Sequence, residues 1–277
     1  MKAAALFLVE ASLLTFSAAS FAGTLRVPSD YSTIQAALDA ASILTVDSVV
    51  VAPGTYHETV RFNGKSVRLV SESGPSETMI MAASAADSAV VFANGERAEA
   101  VISGFTITNS GNGIYVGAAS ATIVSNVIVN CGSGITFQFA SSTLRGNRIA
   151  RCSGAGIILG AGINPLIEGN LIEENGGGID MNSAGSPLIR NNRIRRNQGH
   201  GINMINQSDA DIFQNIISEN AAFGIVSLAW ISSAPWNAQN FRGEGKNPPG
   251  NFRSAGSSWD ERRWQRRRSK LPMSKAR

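Results

Sequence analysis

The sequence predicts an all-β fold in which a parallel sheet is wound into a coil, a single-stranded solenoid with an N-terminal capping helix and a disordered C-terminal tail. Three observations carry that prediction. A phrase of about 22 residues recurs six times, apolar and polar residues alternate within it, and Gly, Asn and Ser punctuate its segments. The phrase is an aliphatic residue, two spacers, Asn, one residue, Ile or Val, then a polar run and Gly-Ile. Its Asn falls at Asn126, Asn147, Asn170, Asn192 and Asn215, with Phe105 in its place in the first copy, at separations of 21, 21, 23, 22 and 23 residues. Gly-Ile follows at Gly113, Gly134, Gly156, Gly178, Gly201 and Gly224.

A repeat this short cannot enclose its own apolar face, so copies must stack and share one core. Alternation such as Ile179-Asp180-Met181 and Ile202-Asn203-Met204 has the period of strands. Neighbouring turns then lie ~4.8 Å apart with like residues above like. The bends need positive φ or side-chain hydrogen bonds to the backbone, which Gly and Asn supply. A leucine-rich repeat would need a Leu-dominated phrase and a helical return, and a hexapeptide solenoid would show sixfold spacing; neither pattern is present.

The elements follow in chain order. Met1-Lys2, the apolar stretch Ala3–Ser20 interrupted by Glu10, and Ser20-Phe21-Ala22 before Gly23 read as a signal peptide cleaved after Ala22, so the protein is expected to be secreted or periplasmic. An uncleaved N-terminal anchor is the alternative. The domains are then residues 1–22, a coil over 23–232 and a basic tail over 233–277. Thr24–Pro28 is a short strand, and Ser32-Thr33-Ile34-Gln35 is a capping box for a helix to about Ala41. Its apolar face of Ile34, Ala37, Leu38 and Ala41 suits it to close the end of the coil. Strands are expected at 48–51, 59–62, 67–70, 78–81 and 89–92.

The tail breaks the pattern. After Trp230 the repeat stops, and Pro235, Pro248, Pro249 and the run Arg262-Arg263-Trp264-Gln265-Arg266-Arg267-Arg268 predict disorder from about Asn240. Of 24 basic and 20 acidic residues, 11 and 3 lie from Arg242 onward, leaving 13 and 17 in the rest. The basic character belongs to the tail, so no nucleic-acid partner is expected for the coil. No later apolar run is long enough to span a membrane.

Stacking turns the sequence into columns. One holds Ser103, Val124, Arg145, Glu168, Arg190 and Phe213; another holds Asn109, Asn130, Arg151, Glu174, Arg196 and Glu219. Their alternating charge fits a groove in which Arg145, Arg190 and Arg193 face an acidic sugar chain while Glu168 or Glu173 takes a proton. It fits equally an ion-pair ladder that keeps turns in register. Asn175, Asn197 and Asn220, with the corner Asn residues, read as internal amide ladders. Cys131 and Cys152 share a column in adjacent turns, close enough for a disulfide, or for two buried thiols.

The repeats, with Ala52-Pro53-Gly54-Thr55-Tyr56-His57-Glu58 and Gly64-Lys65-Ser66-Val67-Arg68-Leu69-Val70-Ser71, resemble the right-handed parallel β-helix repeat proteins of the pectin-lyase-like superfamily over about residues 24–230. The resemblance implies a right-handed coil. It does not select an activity, because that superfamily spans lyases, esterases, hydrolases, epimerases and NosD-like periplasmic proteins. Gly199-His200-Gly201 is similar to a polygalacturonase motif, with Asp180 about one turn earlier, but the other carboxylate phrases of those hydrolases are missing. The signature phrases of pectin methylesterases and pectate lyases are also missing. With only His57 and His200, no metal site and no cofactor are expected.

The sequence therefore points to an exported monomer offering a polysaccharide groove without an intact catalytic set. Tyr115, Thr136, Asp180 and Asn203, as one outward column, and Arg190 are the expected sugar contacts. The alternatives are a lyase or glycoside hydrolase using Asp180, His200 and Arg193, and a structural or adhesive protein.

Overall fold

A strand of three alternating residues can point only one side chain inward, and a strand of five or six can point two. Each winding of the coil uses that difference. In one, Thr143–Arg145 buries Leu144, Arg148–Ala150 buries Ile149, and the longer Ala155–Leu159 buries both Ile157 and Leu159. Among the described residues repetition builds three parallel sheets, here A, B and C, of nine, eight and nine strands. In sheet A, Thr122–Val124, Thr143–Arg145, Leu166–Glu168 and Leu188–Arg190 pair in unbroken register. The computed structural model describes residues 22–182, 185–206 and 210–227 and the backbone of the strand Phe252–Ser254.

The windings stack as the repeat predicts. Asn170 and Asn192 touch: the backbone N–H and Nδ2 of Asn170 donate to Asn192 Oδ1 at 2.9 and 3.0 Å. Files of Ile fill the interior, among them Ile107, Ile128, Ile149, Ile172, Ile194 and Ile217 in sheet B. Cys131 and Cys152 occupy adjacent windings as two free, buried thiols, the second of the two arrangements their column allowed.

Several details depart from the sequence expectation. Positive φ falls on Gly and Asn at most of the bends, as expected, but in the file Asn109, Asn130, Arg151, Glu174, Arg196 and Glu219, all at φ 53–59°, the last four are charged residues. Each directly precedes an inward Ser, Cys or Asn, so the left-handed residue turns the chain and its neighbour satisfies the turn. The glycine of Gly-Ile serves close approach instead: a Cβ on Gly178 would collide with Gly201 O and Ile194 Cγ2. The helix is Ile34–Ala40, its N-cap is Thr33, and there is no capping box. Gln35 bonds Arg61 and Asp39, and the Glu58 carboxylate accepts the Ile34 and Gln35 N–H groups at 2.9 and 2.8 Å, so the first winding caps its own lid. Lys65 Nζ holds the other end through Leu38 O and Asp39 O.

A strand at Gly54–His57 pairs with Thr78–Met81 where none was expected, because it buries no apolar residue and carries no alternation. Phe252–Ser254 lies parallel to Ile225–Ser227, adding a strand inside the segment expected to be disordered. The rest of that tail and the expected signal peptide before Ala22 lie outside the described residues. Among the described residues no helix is long and apolar enough to cross a membrane.

Candidate outer face of the wide sheet

Sheet C has the longest strands, so it alone offers an outer face several side chains wide. Its central outward file is fixed by register: Tyr115 beside Thr136, Thr136 beside Ile158, Ile158 beside Asp180, Asp180 beside Asn203. The four expected contacts thus form one line spanning four inter-strand steps, roughly 19 Å. Ile158 completes it, an apolar member that the sequence reading passed over.

Flanking files buttress this line. Thr136 Oγ1 donates to Asn112 Oδ1 at 2.8 Å, Asn112 Nδ2 donates to Ser88 Oγ at 3.2 Å, and the Tyr115 hydroxyl donates to Gln138 Oε1 at 3.0 Å. The side chains are held in a preset array that a ligand need not order. Phe139, just past the strand Ser133–Gln138, is 72% exposed at φ 52°. It lines a hollow of about 280 Å³ with Arg97. Alternation from Phe137 would have pointed Phe139 inward, and its left-handed backbone turns it out.

Asp180 has the most unusual surroundings. It lies over Gly177, where a Cβ would stand 3.5 Å from its Oδ1. Burial raises the Asp180 pKa above the usual carboxylate range, and neither the Asn203 hydrogen bond nor the charge of His200 reverses that. His200 is therefore its electrostatic neighbour, as the one-turn separation implies. The ring of His200 stacks on Phe223 with centroids 5.8 Å apart, and its Nδ1 accepts the Phe223 N–H at 3.1 Å. That bond places the neutral ring's proton on Nε2.

The arginines sit elsewhere. Arg193 is exposed on sheet B between Leu171 and Ile216, on a different sheet from Asp180. Arg190 is on sheet A, where Glu168 lies between it and Arg145 at 2.9 and 2.6 Å. On sheet B, Glu173 is buried between Arg148 and Arg195 at 2.8 and 2.9 Å. Burial alone would raise the pKa of both glutamates, but their arginine hydrogen bonds and charges overcome it and hold both low. A group so held is a poor proton acceptor near neutral pH. The charges thus form ion-pair ladders, and in a separate column Arg196 lies between Glu174 and Glu219 at 3.8 and 3.1 Å.

Among the described residues no group of three or more His, Cys, Asp or Glu side chains is placed to hold a metal ion. No curated protein and no solved structure matches the chain significantly. A family model described as a right handed beta helix region matches residues 88–233, the stretch that carries the repeats and the file from Tyr115 to Asn203, and the chain belongs to that family.

Proposed function

We propose that the outer face of sheet C binds an extended polysaccharide, with Tyr115, Thr136, Asp180 and Asn203 as its contacts and with the protein acting as an exported monomer. The observation that carries this reading is the file of Tyr115, Thr136, Asp180 and Asn203 along the coil axis, with Ile158 at its middle and with Tyr115 and Thr136 held by flanking side chains. A linear polymer presents hydroxyl groups at regular intervals, and a line of fixed donors and acceptors complements them; Tyr115 adds a ring on which a sugar can stack. Arg190 and Arg193, on other sheets, are left out of this contact line. Export is supported by the pattern of Met1–Ala22.

The test is gel retardation of the full chain in acidic and neutral polysaccharides. Retardation by at least one polymer, lost in Tyr115→Ala and Asp180→Asn and kept in Arg193→Ala, supports the reading. Retardation unaffected by the sheet C substitutions overturns it, as does silence on every polymer, which leaves a structural or adhesive role. N-terminal sequencing of exported protein should begin at Gly23.

A second reading is favoured by the raised pKa of Asp180 beside His200, the setting a general acid requires. In this reading the face belongs to a glycoside hydrolase or lyase. Release of reducing ends or unsaturated products, abolished by Asp180→Asn, would select it.

A further inference from the structure

We propose that Cys131 and Cys152 are a covalent modification site, cross-linked by thiol–disulfide exchange with a small-molecule disulfide into a bond that ties two successive windings. Both lie in the file formed by Ser110, Cys131, Cys152, Asn175, Asn197 and Asn220 at the corner between sheets B and C. In the last three windings of that file the amide does the work: Asn175 and Asn197 each donate N–H and Nδ2 to the next residue's Oδ1 at 2.9–3.1 Å. Cysteine cannot reproduce this. As a donor Cys131 Sγ reaches Val129 O at 3.3 Å and Ile107 O at 3.9 Å, and Cys152 Sγ reaches Ala150 O at 3.8 Å, all weak bonds. The two places where the amide is given up are adjacent, which is what a bond between them needs.

The geometry suits that bond. Ser153 N donates to Cys131 O at 3.0 Å and Gly154 N donates to Gly132 O, so the backbones run side by side and the Cα atoms face each other at ~4.8 Å, within the range disulfides span. The thiols contact each other, and that contact with a hydrogen bond from Ser110 Oγ at 3.3 Å holds Cys131 down to about 7 against burial, while Cys152 is pushed up by the same contact and by burial. A hollow of about 570 Å³, lined by Asn130, Arg151, Glu174 and both cysteines, lies beside the buried thiols, which a small reagent meets when this corner opens locally.

The exchange balances. Cys131 thiolate attacks one sulfur of oxidised glutathione, whose S–S bond breaks to release one glutathione thiolate. Cys152, giving its proton to that thiolate, attacks the Cys131 sulfur and expels the second glutathione, which takes up the proton Cys131 had lost. Two protein thiols are oxidised to one disulfide, and one glutathione disulfide is reduced to two thiols.

The full chain is equilibrated in glutathione redox buffers, folded and in urea, then acid-quenched, alkylated and peptide-mapped without reduction. The expected product is a Cys131–Cys152 cross-link lighter by two hydrogens. Its equilibrium constant should be at least about tenfold greater in the folded chain, since closing a loop of this length can favour the native state by up to about three-hundredfold. Cys152→Ser should instead trap a glutathione adduct on Cys131. Thiols that stay free in the folded chain in buffers that cross-link the unfolded one overturn the proposal, as does an equilibrium constant no greater folded than unfolded.

Discussion

Replacing Asn170 by Ala tests whether the amide ladder holds the windings together. Asn170 Oδ1 accepts the backbone N–H and Nδ2 of Asn147 at 2.9 and 3.1 Å, and its Nδ2 reaches Leu144 O, Glu168 O and Asn192 Oδ1 at 3.0–3.1 Å. The Ala variant leaves the buried Asn147 N–H without its acceptor, about 1–3 kcal/mol, and forfeits the two hydrogens of Nδ2, shared among three acceptors, at about 1 kcal/mol net each or less. A loss of about 4 kcal/mol is expected from urea unfolding, against about 0.5 kcal/mol or less for the exposed control Glu99→Ala. Asn170→Asp sharpens the test, because it keeps the acceptor and turns a second oxygen toward three others. Its carboxyl is pushed above the ordinary ~3.9. The folded state then binds the proton more tightly than the unfolded one, so stability should be greatest in acid and fall as pH rises through the folded pKa. At pH 7 the Asp variant should be less stable than Ala. An Ala variant within about 0.5 kcal/mol of the parent, or an Asp variant no worse than Ala, would refute the reasoning.

Other outcomes follow from the same geometry. Glu173→Gln should destabilise by about 2 kcal/mol at pH 7, discounted from a fully buried pair because Arg148 and Arg195 keep partial solvent contact. The Glu173 pKa is held low, so the parent's advantage should be present above pH ~4.3 and vanish as pH falls through the folded value, in paired acid titrations. Asp180→Asn should raise stability at neutral pH, by about 1 kcal/mol or less, since a raised carboxyl pKa penalises the charged form; thermal melting checks it, and gain of stability with loss of retardation would mark a functional residue. Gly178→Ala should cost about 2–3 kcal/mol through collision with the next winding, and Gly162→Ala, at φ 67° with nothing within 4 Å, about 1–2 kcal/mol.

The repeats were legible because the interior is demanding: the buried corner keeps Asn in five successive copies from Asn126 to Asn215, and a close approach must have Gly. The file from Tyr115 to Asn203 followed from counting alone. What the sequence hid depends on contacts remote in the chain. Nothing near Ser32 or Gln35 reveals that Glu58 caps the helix, and the alternation through Phe137 gives the wrong face for Phe139. The dip over Gly177 that unsettles Asp180 is a three-dimensional fact, whereas the alternating charges of Arg145, Glu168 and Arg190 admitted two readings until their distances chose the ladder.

The amide ladder also makes the coil modular. Because the Asn147 N–H meets an identical carbonyl oxygen on Asn170, excising residues 170–191 as one block would present it with Asn192, an equivalent host. Whole units can be subtracted or duplicated while each junction finds the same partner. The length of the rod, and with it the reach of its outer face, is a quantity that evolution or an engineer can change in discrete increments.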